Sequence, residues 1–191
     1  MNGILLTHGA GSDRDSKLLV AVEAEFAKLG WIVERVNLEF RVSGGRPGFQ
    51  AEKDQVGLAR DLAALRGKCD RVFFGGHSYG GRQGSMLLAS QPELAEAALL
   101  MGYPLHPPGK PEQARTAHFG ELRVPAMFVS GTKDEFGTVA ELEAAVALIG
   151  GGARTRLVTV EGARHDLKGG KVGVAERIAR EFAEFVGLGR G

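Results

Sequence analysis

One serine lies in a sequence setting that can make its hydroxyl reactive. Ser78 is at the centre of the G-x-S-x-G pattern at 76–80, between an apolar run at 71–75 and a helix-compatible segment. This order predicts a strand, a sharp turn that exposes the serine, and a helix whose N-terminus faces it. Glycines two residues to either side let strand and helix meet closely. The chain has 29 glycines, so this pattern can occur by chance. It indicates a reactive serine only if an acid and a base that could act with Ser78 are also present.

The partners of such a serine are a base that takes its proton and an acid that orients the base. In this layout they follow later strands, acid first and histidine second. The apolar run at 125–130 leads to Asp134, and the run at 156–160 leads to His165. Their ordered placement after successive strands predicts a Ser78–Asp134–His165 triad.

Each partner also has an ordinary explanation. An aspartate in a Gly-Thr-Lys-Asp loop is often a turn former or a helix N-cap, and a histidine in a loop is often only solvated. Glu135 is the first reserve for the acid. Asp166 is a weaker reserve, because it directly follows His165 and its side chain is expected to point elsewhere.

Attack on a carbonyl creates a negatively charged oxygen, which needs preorganised hydrogen-bond donors. One expected donor is the backbone N–H of Tyr79, the residue after the serine. We assign the second to the N–H of Ala10, in the glycine-rich loop at 8–11 after the first strand. His8 is expected to hold this loop by hydrogen bonds. The remaining histidines are expected to be structural or solvated: His77, His106 and His118.

Composition argues against several other classes of protein. The 191 residues include 24 basic and 23 acidic side chains, a net charge of +1, so no nucleic-acid or membrane partner is expected. The single Cys69 rules out an internal disulfide and indicates a reducing, cytoplasmic compartment. No signal peptide or membrane span is recognisable. We expect one domain over 1–191 with a small-molecule acyl substrate as its partner.

The elements that must position these residues alternate along the chain. Apolar runs predict six strands, at 3–7, 31–38, 71–75, 97–101, 125–130 and 156–160. Apolar stripes predict helices at 15–29, 51–66, 79–90, 139–149 and 172–186. Loops are expected at 40–49, at 161–170 and in the proline-rich stretch 103–121. The alternation predicts a single-domain α/β fold, with about six mostly parallel strands and helices on both faces.

Five segments in this order carry a family resemblance: 8–11, 76–82, 102–111, 131–137 and 163–167. The chain resembles the small lidless α/β-hydrolases related to dienelactone hydrolases. It is similar in particular to the testis-expressed and NSL-complex hydrolase-like proteins and their bacterial relatives. The segment Gly-Tyr-Pro-Leu-His-Pro-Pro-Gly-Lys-Pro at 102–111 narrows the resemblance to this group, and the likeness covers nearly the whole chain.

The resemblance implies an eight-stranded sheet without its first two strands, no metal and no organic cofactor. Dienelactone hydrolases use a cysteine nucleophile whereas this chain has Ser78, so their exact substrate is not expected. The helical lid that is usual in α/β-hydrolases is missing, and only the loop at 103–121 occupies its place. The resemblance therefore implies an open site with loose substrate selection.

The sequence thus predicts a carboxylesterase-like serine hydrolase that acts on esters or related acyl compounds. Arg82, Arg41 and Arg46 are candidate substrate-binding residues that would favour an acidic substrate, although Arg82 can instead pack across its helix. The alternative function is a non-catalytic interaction module that retains the hydrolase shell. A peptidase is a third reading.

Overall fold

All six predicted strands pair into one sheet in the computed structural model, which describes residues 1–169 and 173–189. Every pairing is parallel, so the sheet is wholly rather than mostly parallel. In chain order the strands are β1 (Asn2–Thr7), β2 (Ile32–Val36), β3 (Arg71–His77), β4 (Ala98–Met101), β5 (Ala126–Gly131) and β6 (Thr155–Val160). Their spatial order is β2-β1-β3-β4-β5-β6.

Helices cover both faces of this sheet. In the described parts of the chain they are α1 (Lys17–Lys28), α2 (Glu39–Val42), α3 (Ala51–Arg66), α4 (Tyr79–Ser90), α5 (Val139–Val146) and α6 (Val174–Phe185). Neighbouring residues of one strand face opposite sides, so Phe74 belongs to the core under α3, α4 and α5 while Phe73 belongs to the core under α1 and α6. Burial on both faces explains why the four central strands are largely apolar, whereas the edge strands β2 and β6 carry charged side chains and are only partly buried.

The parallel arrangement brings the carboxyl ends of the strands to one edge. At this edge Thr7 pairs with Gly76, His77 with Met101, and Gly131 with Val160. The loops after β1, β3, β5 and β6 therefore leave the sheet side by side, where open α/β sheets carry their sites.

Two predicted boundaries differ around β2. The strand ends at Val36 rather than at 38, because the Leu38 N–H donates to the His8 ring instead of to a strand. The expected loop at 40–49 begins with the one-turn helix α2. The buried Asp54 carboxylate accepts a hydrogen bond from the Phe40 N–H at 2.9 Å, which holds the first turn of α2.

Other boundaries differ by a few residues. Helix α5 ends at Val146 rather than at 149. The expected start of the last helix at 172 and the expected end of the preceding loop at 170 lie outside the described residues. The 103–121 stretch is irregular as expected, with short 3-10 turns at Pro111–Gln113 and Phe119–Glu121. No helix within 1–169 or 173–189 is long and apolar enough to cross a bilayer.

Candidate active site

Ser78 forms the turn between β3 and α4. Its φ of 50° and ψ of −120° are rarely adopted by non-glycine residues and match the strained turn expected for an exposed serine. The flanking glycines are required by close packing. A Cβ on Gly76 would lie 2.5 Å from the Gly81 Cα, and a Cβ on Gly80 would lie 2.4 Å from the His8 carbonyl oxygen.

His165 connects this serine to a buried carboxylate. The His165 Nε2 atom lies 2.7 Å from the Ser78 Oγ, and its Nδ1 lies 2.9 and 3.0 Å from the two Asp134 oxygens. The Asp134 side chain is 1% exposed and that of His165 is 13% exposed. With a proton on Nδ1, the imidazole donates to the carboxylate and its Nε2 accepts from the serine hydroxyl. This tautomer suits a base poised to take the serine proton.

The structure distinguishes Asp134, the acid that the sequence placed first, from the two reserves Glu135 and Asp166. Asp134 contacts the imidazole and also accepts a hydrogen bond from the Phe136 N–H at 2.9 Å. Glu135 is exposed to solvent. The carboxylate of Asp166 pairs with Lys168, whose ammonium lies 2.8 Å away and holds the pKa of Asp166 below its usual value. Asp134 is therefore the acid that the fold brings to His165.

Two aromatic side chains fix the position of His165. The Phe136 ring stacks on the imidazole with centroids 4.1 Å apart. The His77 Nε2 atom lies 3.1 Å from the His165 carbonyl oxygen. Burial lowers the pKa of His77, so its neutral ring donates from Nε2 to that carbonyl. The sequence predicted only that His77 would be structural or solvated, and nothing in the motif indicated its contact with His165.

The loop after β1 is held by His8, as the sequence predicted. The His8 Nδ1 atom lies 2.8 Å from the Gly9 carbonyl oxygen and its Nε2 accepts from the Leu38 N–H at 3.2 Å. Burial lowers the pKa of His8, in agreement with a neutral ring that donates once and accepts once. The Gly9 carbonyl also accepts from the Ser12 N–H. The N–H of the same peptide, which belongs to Ala10, therefore points the opposite way.

Two backbone donors lie beside the serine. Gly9 approaches the turn so closely that a Cβ there would be 3.2 Å from the Ser78 Cβ. Ala10 and Tyr79 line the same cleft as Ser78. Within the described chain neither the Ala10 N–H nor the Tyr79 N–H has a hydrogen-bond acceptor. Unpaired backbone donors at such a point can hold a negatively charged oxygen.

A cleft of about 530 Å³ opens over the serine. Its walls come from the loop after β1, from Pro47 and Gly48, from Pro104 and Arg115 in the irregular stretch, and from Phe136. The wall near Gly48 is tied to the site through Tyr79, whose hydroxyl accepts from the Gly48 N–H at 3.0 Å and donates to the Asp54 carboxylate at 2.7 Å.

The three predicted substrate-binding arginines have different surroundings. Arg82 lines the cleft. Arg41 is absent from the described lining, and its guanidinium donates to the Ala10 and Ser12 carbonyls at 3.2 and 3.1 Å. Arg41 thus stabilises the loop after β1 through these two hydrogen bonds. Arg46 is exposed and also outside the described lining.

The sequence also predicted that His106 and His118 are structural or solvated, and the family resemblance implied that no metal is bound. The His118 ring binds the Ser85 hydroxyl at 2.8 Å, and the His106 ring binds the Pro107 carbonyl at 2.8 Å, so both are structural in their contacts. Arg115 was not anticipated, because nothing in its spacing distinguishes it from the other basic residues. Within the described chain, no group of three or more His, Cys, Asp or Glu side chains is arranged to hold a metal ion.

Comparison with known families gives the relationship of this chain. A family model described as an alpha/beta hydrolase domain matches residues 1–182. The chain belongs to the alpha/beta hydrolase family. Solved structures superpose on nearly the whole chain, which agrees with a single alpha/beta fold built on one parallel sheet.

Three solved alpha/beta hydrolase structures illustrate the similarity. A protein of this superfamily from Xanthomonas campestris is 26% identical, with a TM-score of 0.70 over 98% of this chain and 99% of that one. A dienelactone hydrolase from Anabaena variabilis is 21% identical, with a TM-score of 0.76 over 97% and 85%. Est1E from Butyrivibrio proteoclasticus, solved with ferulic acid bound, is 14% identical with a TM-score of 0.77 over 98% and 90%. At such identities the last two likenesses establish the fold alone.

Proposed function

We propose that this alpha/beta hydrolase is a serine hydrolase that cleaves carboxylic esters or related acyl compounds. The observation that carries the proposal is the hydrogen-bonded array of Ser78, His165 and Asp134 next to two unpaired backbone donors. The similarity to a protein named as a dienelactone hydrolase supports the same class of reaction.

The proposed reaction proceeds through an acyl-enzyme. The Ser78 oxygen attacks the ester carbonyl carbon while the His165 Nε2 takes the hydroxyl proton. The carbonyl oxygen becomes negatively charged and accepts hydrogen bonds from the Ala10 and Tyr79 N–H groups. Asp134 stabilises the imidazolium that forms. His165 then gives its proton to the departing alkoxide, which leaves as an alcohol.

The second half of the reaction releases the acid. Water attacks the acyl-serine while His165 again acts as the base, and the Ser78 oxygen leaves with the proton that the imidazole returns. The balance is one ester and one water consumed for one acid and one alcohol. The open cleft of about 530 Å³ gives water and a small ester direct access to the serine.

The test compares two serines of the same chain. Replacement Ser78→Ala should lower kcat for p-nitrophenyl acetate at least ~10³-fold, because the array acts as a unit. Ser85 is the matched control, since its hydroxyl also contacts a histidine, His118 at 2.8 Å, but the side chain is fully buried. Ser85→Ala should keep the rate within about threefold. Equal rates for Ser78→Ala and the parent protein would overturn the proposal.

We also propose that the protein works in the cytoplasm. Its single cysteine, Cys69, is buried and unpaired, and a chain built without disulfides suits a reducing compartment. Fractionation of cells that express the protein with a small tag would test this: recovery in the cytoplasmic fraction is expected, and recovery outside it would contradict the proposal.

A further inference from the structure

The cleft over the serine carries positive charge that the protein does not neutralise. Arg82 and Arg115 line it together with Ser78. Among the described residues, no carboxylate lies within 4.0 Å of either guanidinium. Most of the other arginines in the described chain have such a carboxylate partner, for example Arg35 with Asp15 at 2.7 Å.

Arg82 has unmet hydrogen-bonding capacity inside the protein. Its Nε atom is buried and has no hydrogen-bond partner among the described residues. A guanidinium carries five N–H donors, and an unpaired donor that is removed from water costs free energy. Residues four apart in a helix rise by about 6 Å, so Arg82 follows Ser78 by one turn of α4.

Arg115 approaches the same space from the other wall. Its backbone is fixed, because its N–H donates to the Leu105 carbonyl at 2.7 Å and its carbonyl accepts from the Tyr103 hydroxyl at 2.7 Å. One guanidinium nitrogen donates to the Pro104 carbonyl at 3.1 Å, which leaves its remaining donors for a ligand. Both arginines line the same cleft, so their like charges repel one another. Burial and the charge of Arg82 also lower the pKa of Arg115.

Among the described residues no acidic side chain lines the cleft, and Asp54, which binds the lining residue Tyr79, does not neutralise the two arginines. The Asp54 carboxylate is fully buried and accepts hydrogen bonds from the Tyr79 hydroxyl and the Phe40 N–H. It makes no ion pair with either arginine. Two like charges held in one cleft without a counter-charge are unfavourable, and an anionic ligand between them would remove the cost.

We propose that the cleft selects esters that carry a carboxylate, which Arg82 and Arg115 bind while Ser78 attacks the ester carbonyl. This inference rests on the proposed serine hydrolase function. The planar guanidinium binds carboxylate oxygens in pairs, and both arginines line the cleft that also holds Ser78, so one small ester can contact the serine and the arginines together. The anion-binding pair thus consists of Arg82 and Arg115, with Arg41 and Arg46 outside it.

Two esters of nearly the same shape but different charge test the selection. The compounds 3-acetoxybenzoate and 3-acetoxybenzamide share the acetyl ester and the ring, and only the first carries a carboxylate. In the parent protein the ratio of kcat/KM for the charged ester to that for the neutral one should exceed about ten. The ratio should fall at least about tenfold in Arg82→Met and in Arg115→Met, and should fall with added salt.

Two further variants show what the arginines contribute. Arg82→Lys keeps the charge but loses the fork of donors, so its ratio should lie between those of the parent and Arg82→Met. Arg123→Met is the matched control, because Arg123 is exposed and precedes β5 at the opposite end of the sheet, and its ratio should equal that of the parent. A ratio unchanged in both cleft variants would overturn the proposal.

A binding measurement separates this proposal from the hydrolase assignment. Calorimetric titration of the Ser78→Ala variant with 3-acetoxybenzoate should show binding that Arg82→Met in the same background weakens at least about tenfold. If the parent cleaves neither ester but this binding is seen, the carboxylate site stands and the hydrolase function falls. If both esters are cleaved and replacement of Arg82 or Arg115 leaves the affinity for 3-acetoxybenzoate unchanged, the hydrolase function stands and the carboxylate site falls.

Discussion

At the scale of single residues, burial decides which acid meets His165. Order along the chain was enough to predict that an acid after β5 and a histidine after β6 would approach Ser78. It placed Asp134 first and kept Glu135 as a reserve, because adjacent residues of one turn are equally close in sequence. The fold separates them: Asp134 is turned inward under the imidazole and Glu135 outward into solvent. Arg115 was missed because only the three-dimensional path of its loop brings it to the cleft.

Neutralising the buried acid should therefore have a large effect on rate. Asp134→Asn should lower kcat for p-nitrophenyl acetate by about 10³- to 10⁴-fold, because the amide no longer fixes the tautomer that lets Nε2 accept the serine proton. Glu135→Gln, one residue away, should change kcat by less than about twofold. Steady-state kinetics of the two purified variants measures both effects. A large loss in Glu135→Gln, or none in Asp134→Asn, would contradict the assignment.

At the scale of elements, the site is made where the loop after β1 packs against the start of α4. The six strands were predicted from apolar runs, and their order along the chain was sufficient to place the serine turn. The short helix α2 was not predictable, because it depends on a hydrogen bond from Phe40 to the distant Asp54. The contact that matters most is that of Gly80 with the His8 carbonyl, where a Cβ would lie only 2.4 Å from the oxygen.

A methyl group at this contact should disturb both stability and rate. Alanine is normally favoured over glycine inside a helix by about 1 kcal/mol, yet Gly80→Ala should destabilise the protein by about 1–3 kcal/mol because the backbone must move apart. The shift also displaces the Ala10 N–H, so kcat should fall. Urea unfolding and kinetics measure the two effects.

The control for that variant is another glycine. Gly120 lies in a 3-10 turn with nothing within 4 Å of the position of a Cβ. Gly120→Ala should leave kcat unaltered and the free energy of unfolding within about 0.5 kcal/mol of the parent. Equal behaviour of the two variants would show that the approach of Gly80 to His8 is not tight.

At the scale of the whole molecule, the fold keeps three histidines neutral. Burial lowers the pKa of His8, His77 and His118, and His118 reaches a pKa of about 4 with the charge of Arg82 adding to the shift. The unfolded chain binds protons at these side chains near their ordinary pKa of about 6.5. Between about pH 4 and pH 6.5 the unfolded state therefore binds more protons, so stability is full above this window and is lost as the pH falls through it.

The contribution of His118 to this loss can be isolated. The free energy of unfolding should fall between pH 7 and pH 4.5. In His118→Gln this fall should be smaller by about 2 kcal/mol, which is the contribution expected from the lowered pKa of His118. His106 acts in the opposite direction, because the Pro107 carbonyl and Glu141 raise its pKa, so the difference between parent and variant is the quantity to measure. Urea unfolding at both pH values gives it, and an identical fall in both proteins would contradict a neutral His118.

Covalent labelling by a fluorophosphonate probe, read by mass spectrometry, tests most directly whether Ser78 is the nucleophile. Such a probe reacts with a serine hydroxyl that is activated by a base and lies beside hydrogen-bond donors for a negatively charged oxygen. We expect one adduct per chain, located on Ser78 and absent from Ser85, with labelling slowed strongly in His165→Ala. A folded parent protein that carries no adduct on Ser78 would contradict the proposed nucleophile.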